Sequence, residues 1–137
     1  MAELKERGDL KNLLQNADWK TEKHVPVIDA PETVKKGKVF QVTATVGKEV
    51  AHPNTTPHHI RFIILYFQPA DDKFPYQIGN FEFASHGESA QGPDTSGVYT
   101  HHEVTASLKT DKPGTLYAMS YCNIHGLWHS SKDIKLG

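Results

Sequence analysis

Three separated stretches concentrate side chains that can hold a metal or carry a proton: Glu22-Lys23-His24, His52-Pro53-Asn54-Thr55-Thr56-Pro57-His58-His59, and Cys122-Asn123-Ile124-His125. Histidine occurs nine times in 137 residues, and imidazole is both the commonest metal ligand and the usual proton carrier near neutral pH. No stretch decides the chemistry alone, because a Cys-x-x-His pair also arises where a buried thiol lies near a hydrogen-bonded histidine. His52 and His58 are separated by a loop-like Pro, Asn and Thr segment, so only a wrapping loop would bring both rings to one ion. His58 shares strand parity with Ile60, Phe62, Ile64 and Tyr66, whereas His59 shares it with Arg61, so His58 is expected to point inward. Cys122 shares parity with Leu116, Ala118 and Ser120 at the end of a strand. A turn over Cys122-x-x-His125 would then carry sulfur and imidazole to the same ion.

Several imidazoles with one thiolate make an odd set for structural zinc, which closes with four ligands. Such a set suits iron or copper better. A blue-copper electron carrier is one alternative, but its axial methionine is missing, since Met119 lies on the parity opposite to Cys122. Cys122 acting as a nucleophile with His125 as its base is another, and it leaves His24, His52 and His58 without a role. A β-sandwich used only as a binding scaffold is a third, and it predicts no coloured metal centre.

Leu10, Leu13, Leu14 and Ala17 have helical spacing behind Asp9 as N-cap, which predicts a short amphipathic helix. From Trp19 onward the pattern has period two and is rich in Val, Ile, Thr, Tyr and Phe. Strands are expected over His24–Ile28, Lys38–Val46, His59–Gln68, Tyr76–Ala84, Val98–Lys109, Thr115–Cys122 and Lys132–Leu136. This makes the fold all-β, a seven-stranded immunoglobulin-like β-sandwich with a short N-terminal helix. The polar stretch His86–Gly97 reads as a surface loop and Pro113-Gly114 as a turn. His59, His86, His101, His102 and His129 are expected to be surface or hydrogen-bonded residues rather than ligands, and Trp19 and Trp128 to be packing residues.

Length and composition narrow the function classes. A chain of 137 residues fits one domain, divided here into a helical extension over 1–18 and a β-sandwich catalytic domain over 19–137. Cys122 is alone, so an internal disulfide is excluded. A formal net charge of -1 lacks the basic excess of a nucleic-acid binder. The longest apolar stretch, Phe62–Phe67, is far short of the roughly 18 residues that cross a bilayer. The N-terminus shows no export signal, which leads to the expectation of a cytoplasmic protein.

Taken together, the segments 18–27 (Asp-Trp-Lys-Thr-Glu-Lys-His-Val-Pro-Val), 46–60, 86–89 (His-Gly-Glu-Ser) and 116–128 resemble the one-iron superoxide reductases, or neelaredoxins. That family shares its catalytic domain with desulfoferrodoxin. The resemblance spans nearly everything after the N-terminal helix. It implies one mononuclear non-haem iron cycling between Fe2+ and Fe3+, with His24, His52, His58 and His125 equatorial, Cys122 axial and one position left for substrate. Glu22 matches the family's carboxylate that binds ferric iron, and Lys23 its basic residue beside the open position. The implied activity is one-electron reduction of superoxide to hydrogen peroxide, with rubredoxin or a similar small redox protein as donor. A homotetramer or dimer is implied as well. Relatives with a second iron site use four further cysteines, which a chain with Cys122 alone lacks.

Overall fold

The computed structural model describes residues 8–137. Its strands are β1 (Pro26–Asp29), β2 (Thr33–Val34), β3 (Phe40–Val46), β4 (Ile60–Pro69), β5 (Tyr76–Glu82), β6 (Glu103–Leu108), β7 (Gly114–Cys122) and β8 (Gly126–Leu136). They form two sheets, one in the order β1-β3-β6 and the other in the order β2-β8-β7-β4-β5. All neighbours are antiparallel except β2 and β8. The all-β sandwich read from period two is therefore present, with eight strands rather than seven. The additional one is the two-residue β2, too short to leave a periodic signal.

Alternation builds the core. Phe40, Val42, Ala44 and Val46 of β3 turn inward, as do Leu116, Ala118 and Ser120 of β7. The apolar ones pack with Ile63, Leu65 and Phe67 of β4, and burial of each Val, Leu, Ile or Phe side chain contributes about 1.5–3 kcal/mol. On β4 the inward set differs from the parity expected. A register shift between Ile60 and Phe62 moves Ile63, Leu65 and Phe67 to the core and leaves Phe62, Ile64 and Tyr66 half-buried on the outer face. A bulge of this kind reverses every side chain beyond it.

The expected N-terminal helix is also shorter than its spacing indicates. Among the described residues it is one 3-10 turn, Leu10–Asn12, and Asp9 makes no side-chain cap bond. Pairing wins immediately afterwards: the Gln15 N–H donates to Leu127 O (3.0 Å) and the His129 N–H to Gln15 O (2.9 Å), tying the chain to β8. Residues 1–7 of the expected extension lie outside the described residues. No helix among the described residues is long and apolar enough to cross a membrane.

Register brings the chemistry-bearing segments to one end. Pro26 at the start of β1 pairs with Val46 at the end of β3, and Ile60 at the start of β4 pairs with Cys122 at the end of β7. The segment before β1, the β3–β4 loop and the β7–β8 turn thus meet. Gly47 opens that loop at φ +80°, where a Cβ would stand 2.7 Å from the His52 nitrogen. Only glycine allows the chain to fold back this closely.

Candidate metal centre

Four imidazoles form a closed circuit at this end. Ring centroids are 4.9 Å apart for His24–His52, 4.9 Å for His52–His58, 5.1 Å for His58–His125 and 4.7 Å for His125–His24. Interplanar angles of 52–79° turn the rings out of parallel, so their edges rather than their faces converge. One ligating atom from each of His24, His58, Cys122 and His125 falls within 4.8 Å of all the others. His52 stands outside this tightest set, although its ring completes the circuit. Cys122 is fully buried, with its Sγ 3.9 Å from His125 Nδ1. The His125 backbone N–H donates to that sulfur at 3.4 Å, as the compact Cys122–His125 turn requires.

Hydrogen bonds at the far side of the rings fix which nitrogen faces the centre. Glu22 Oε1 lies 2.6 Å from His24 Nδ1, and the Pro53 carbonyl 2.6 Å from His52 Nδ1. Each acceptor holds the proton on Nδ1 and leaves the Nε2 lone pair free, the arrangement metal-ligating histidines adopt. His24 Nε2 and His125 Nδ1 face each other at 3.1 Å. His52 Nε2 and His58 Nε2 are buried without any hydrogen-bond partner. Buried nitrogens left unpaired are costly, and a cation among them would satisfy every one. The donor set therefore fits a metal ion, with four imidazoles and one thiol as its candidate holders.

The environment of His24, His52 and His58 favours the neutral ring, as ligation requires. Burial pushes His52 down to about 4. His24 is lowered chiefly by burial, against the opposing pull of Glu22. His58 is lowered by burial and then by the neighbouring charges of His125, His24 and Lys23. Lys23 is half-buried, and its charge is close enough to help lower both His24 and His58. Glu22 is half-buried, and burial raises its carboxyl while its His24 contacts lower it further, for a net decrease. In this structure Glu22 holds His24 and is not one of the mutually close ligand atoms. Trp128 stacks on His24 at 5.0 Å and donates its Nε1–H to the His125 carbonyl at 3.2 Å, so it supports two of the rings.

The other histidines do different work. His59 and His86, expected on the surface or in hydrogen bonds, are both buried. Their rings stack at 3.5 Å with an angle of 6°. His59 Nδ1–H donates to Thr55 O (2.9 Å) and His86 Nε2–H to Phe83 O (2.5 Å). They border a half-open cavity of about 610 Å³ with Arg61, Phe62, Phe83 and Tyr121. His102 is buried against His52 while its neighbour His101 is exposed. No sequence signal links His59 to His86, which lie in different loops, so that pairing was not readable. Asn123, which bonds residues on both sides of His58, likewise carried no signal beyond its place between Cys122 and His125.

Fold and site together define a class: a two-sheet β-sandwich that gathers four histidines and a cysteine at one end as a metal centre. The desulfoferrodoxin family model matches residues 16–131, and the chain belongs to that family. Curated relatives include a neelaredoxin from Megalodesulfovibrio gigas, 57% identical over 91% of this chain and 96% of that one. A superoxide reductase from Pyrococcus furiosus is 54% identical over 92% of this chain and 99% of that one. Among solved structures, superoxide reductase (neelaredoxin) from Archaeoglobus fulgidus in the reduced form is similar with a TM-score of 0.85. It is 54% identical, over 90% of this chain and 99% of that chain.

Proposed function

We propose that this chain is a superoxide reductase, an oxidoreductase that reduces superoxide by one electron to hydrogen peroxide at a mononuclear non-haem iron. The proposed ligands are His24, His52, His58, His125 and Cys122, with Glu22 as a carboxylate that can join them and Lys23 beside the open position. The single observation that carries the reading is the closed circuit of imidazoles around unpaired ring nitrogens next to a buried thiol. Iron bound there supplies the electron, changing from Fe2+ to Fe3+.

The chain's own residues supply the rest. Neutral imidazoles add no charge, so a divalent iron held with one thiolate would keep a net positive charge, and with Lys23 beside it a focused positive field raises anion capture by roughly ten- to a thousandfold at low salt. Cys122 contributes a thiolate, whose basicity the His125 N–H moderates. Glu22 keeps His24 in the tautomer that presents Nε2. Each turnover takes up one electron and two protons per superoxide. A small redox protein such as rubredoxin is the proposed electron donor.

Residues 1–18 are proposed as an extension to the catalytic domain at 19–137. A dimer or homotetramer is part of the reading, supported by the outer face of the larger sheet, where Phe62, Ile64 and Tyr66 lie opposite Tyr121, Met119 and Tyr117. An apolar array of this kind is suited to a second copy. A reduced, metal-holding thiol suits the cytoplasm.

Iron analysis, the visible spectrum of oxidised protein and superoxide consumption with separate assays of hydrogen peroxide and oxygen test the proposal. One iron per chain, a red-region thiolate band and peroxide without oxygen support it. Zinc, an intense blue copper band or absence of superoxide consumption by the iron-loaded protein contradicts it.

A further inference from the structure

We propose that Asn123 is a positioning residue that sets the spacing between the Cys122–His125 turn and His58. The inference rests on the metal-centre reading above and adds a residue that is not itself a ligand.

The two segments it joins lie at the same end of the β4–β7 ladder, one just before β4 and the other just after β7. Ile60 pairs with Cys122, and one step beyond, the Asn123 N–H donates to His59 O at 3.2 Å. The side chain adds two bonds. Asn123 Oδ1 accepts the His59 N–H at 2.9 Å, and Asn123 Nδ2 donates to Pro57 O at 2.9 Å. Three hydrogen bonds thus bracket His58 in sequence, one reaching the residue before it and two the residue after it. At the other end Asn123 is bonded directly to Cys122 and lies two residues from His125. A shift of this side chain therefore moves two ligand-bearing segments relative to each other.

The chemistry of the amide is specific. Its acceptor and donor sit in one planar fork, and each matches a backbone group of opposite character. Aspartate keeps the acceptor but loses the donor to Pro57. Alanine loses both and leaves the His59 N–H without its side-chain partner. The anchor is firm, because His59 is buried, donates its Nδ1–H to Thr55 O and is stacked on His86. The ladder irregularity between Ile60 and Phe62 makes the added tie more telling, since regular pairing is interrupted just there.

Cobalt(II) binding to the full metal-free chain tests this without any dependence on superoxide. The readouts are the dissociation constant, the thiolate-to-cobalt band and the melting temperature of the metal-free protein. Asn123→Ala is expected to weaken cobalt binding roughly ten- to a hundredfold, the range typical of partners that orient ligands, and to shift the thiolate band. Asn123→Asp, nearly the same in shape, is expected to recover part of both. Wild-type affinity with an unshifted band in Asn123→Ala overturns the proposal. So does an affinity loss matched only by a lower melting temperature, with the band in place in both variants. If Asn123→Ala does not fold, Asn123→Asp alone decides, because its lost donor must still shift the band. A wild-type chain that binds cobalt without any thiolate band overturns the metal-centre reading itself, and this inference with it.

Discussion

The loop between β3 and β4 sends its histidines into two unlike arrangements. His52 and His58 enter a circuit of rings set edge toward face, at angles of 52–79° around it. His59, the next residue, lies flat against His86 at 3.5 Å. Burial does not mark out the circuit, since His24 and His52 are about 5–6% exposed like His59 and His86, whereas His58 is half-buried and His125 exposed. What separates them is where the ring nitrogens point. In the circuit, backbone or carboxylate acceptors take the outer nitrogens of His24 and His52, while the inner nitrogens converge, His24 Nε2 on His125 Nδ1 and those of His52 and His58 without a partner. In the stack, parallel planes aim one nitrogen of each ring sideways into the Thr55 and Phe83 carbonyls, and the unpaired His86 Nδ1 belongs to no converging set of ligand atoms among the described residues. A histidine becomes a candidate ligand through its orientation rather than through its burial.

Substitutions can break this contrast, and the largest effect is expected at the sulfur. Cys122→Ser should abolish the thiolate band and the superoxide reaction, as absorption and rapid-mixing kinetics would report. Next, His52→Ala should lower iron affinity by more than the roughly hundredfold seen when only a ligand's supporting partner is lost. Competition with a chelator measures it, and an affinity equal to wild type would move His52 out of the circuit's function.

Acid should act on the same rings. His52 is held at about 4 in the fold against 6.5 without it, so the folded state resists a proton that the unfolded chain accepts. Stability of the metal-free protein is then fullest above about pH 6.5 and falls as pH drops toward about 4. The loss attributable to His52 is about 3 kcal/mol, at 1.36 kcal/mol per unit. Urea unfolding across that range should show the slope, reduced in His52→Gln.

Smaller effects sharpen the comparison. Lys23→Ala should slow superoxide capture by about tenfold at low salt and flatten its salt dependence, with iron content unchanged. His86→Phe preserves a flat ring against His59 while removing the bond to Phe83 O. It should change stability by only about 1 kcal/mol and leave iron content and the thiolate band as they are. Loss of iron in that variant would erase the distinction between stack and circuit.

Much of this was legible beforehand, for reasons that also explain the failures. Period two marked β3 and β7 because each has one face in the core, and Cys122 shares the buried face of Leu116 and Ala118 as its parity implied. His58 was selected by parity with Phe62, Ile64 and Tyr66, yet those residues lie on the outer face. His58 nevertheless lies in the cluster with His24, Cys122 and His125, although the bulge after Ile60 removes the parity argument for it. Helical spacing at Leu10, Leu13 and Leu14 yielded one 3-10 turn, because pairing of Gln15 with β8 outweighs a short helix's weak preference. The family resemblance implies Glu22 as a ligand of ferric iron, and the bond of its carboxylate to His24 is a contact that no spacing in the sequence announces. Local spacing carries no information about contacts such as His59 on His86, which depend on how two loops cross.

Iron K-edge X-ray absorption on the iron-loaded full chain tests the central claim most directly. Four nitrogen scatterers at imidazole distance and one sulfur, with the sulfur lost in Cys122→Ser, are the predicted result. A first shell without sulfur, or one with fewer imidazoles than His24, His52, His58 and His125 provide, would contradict the account.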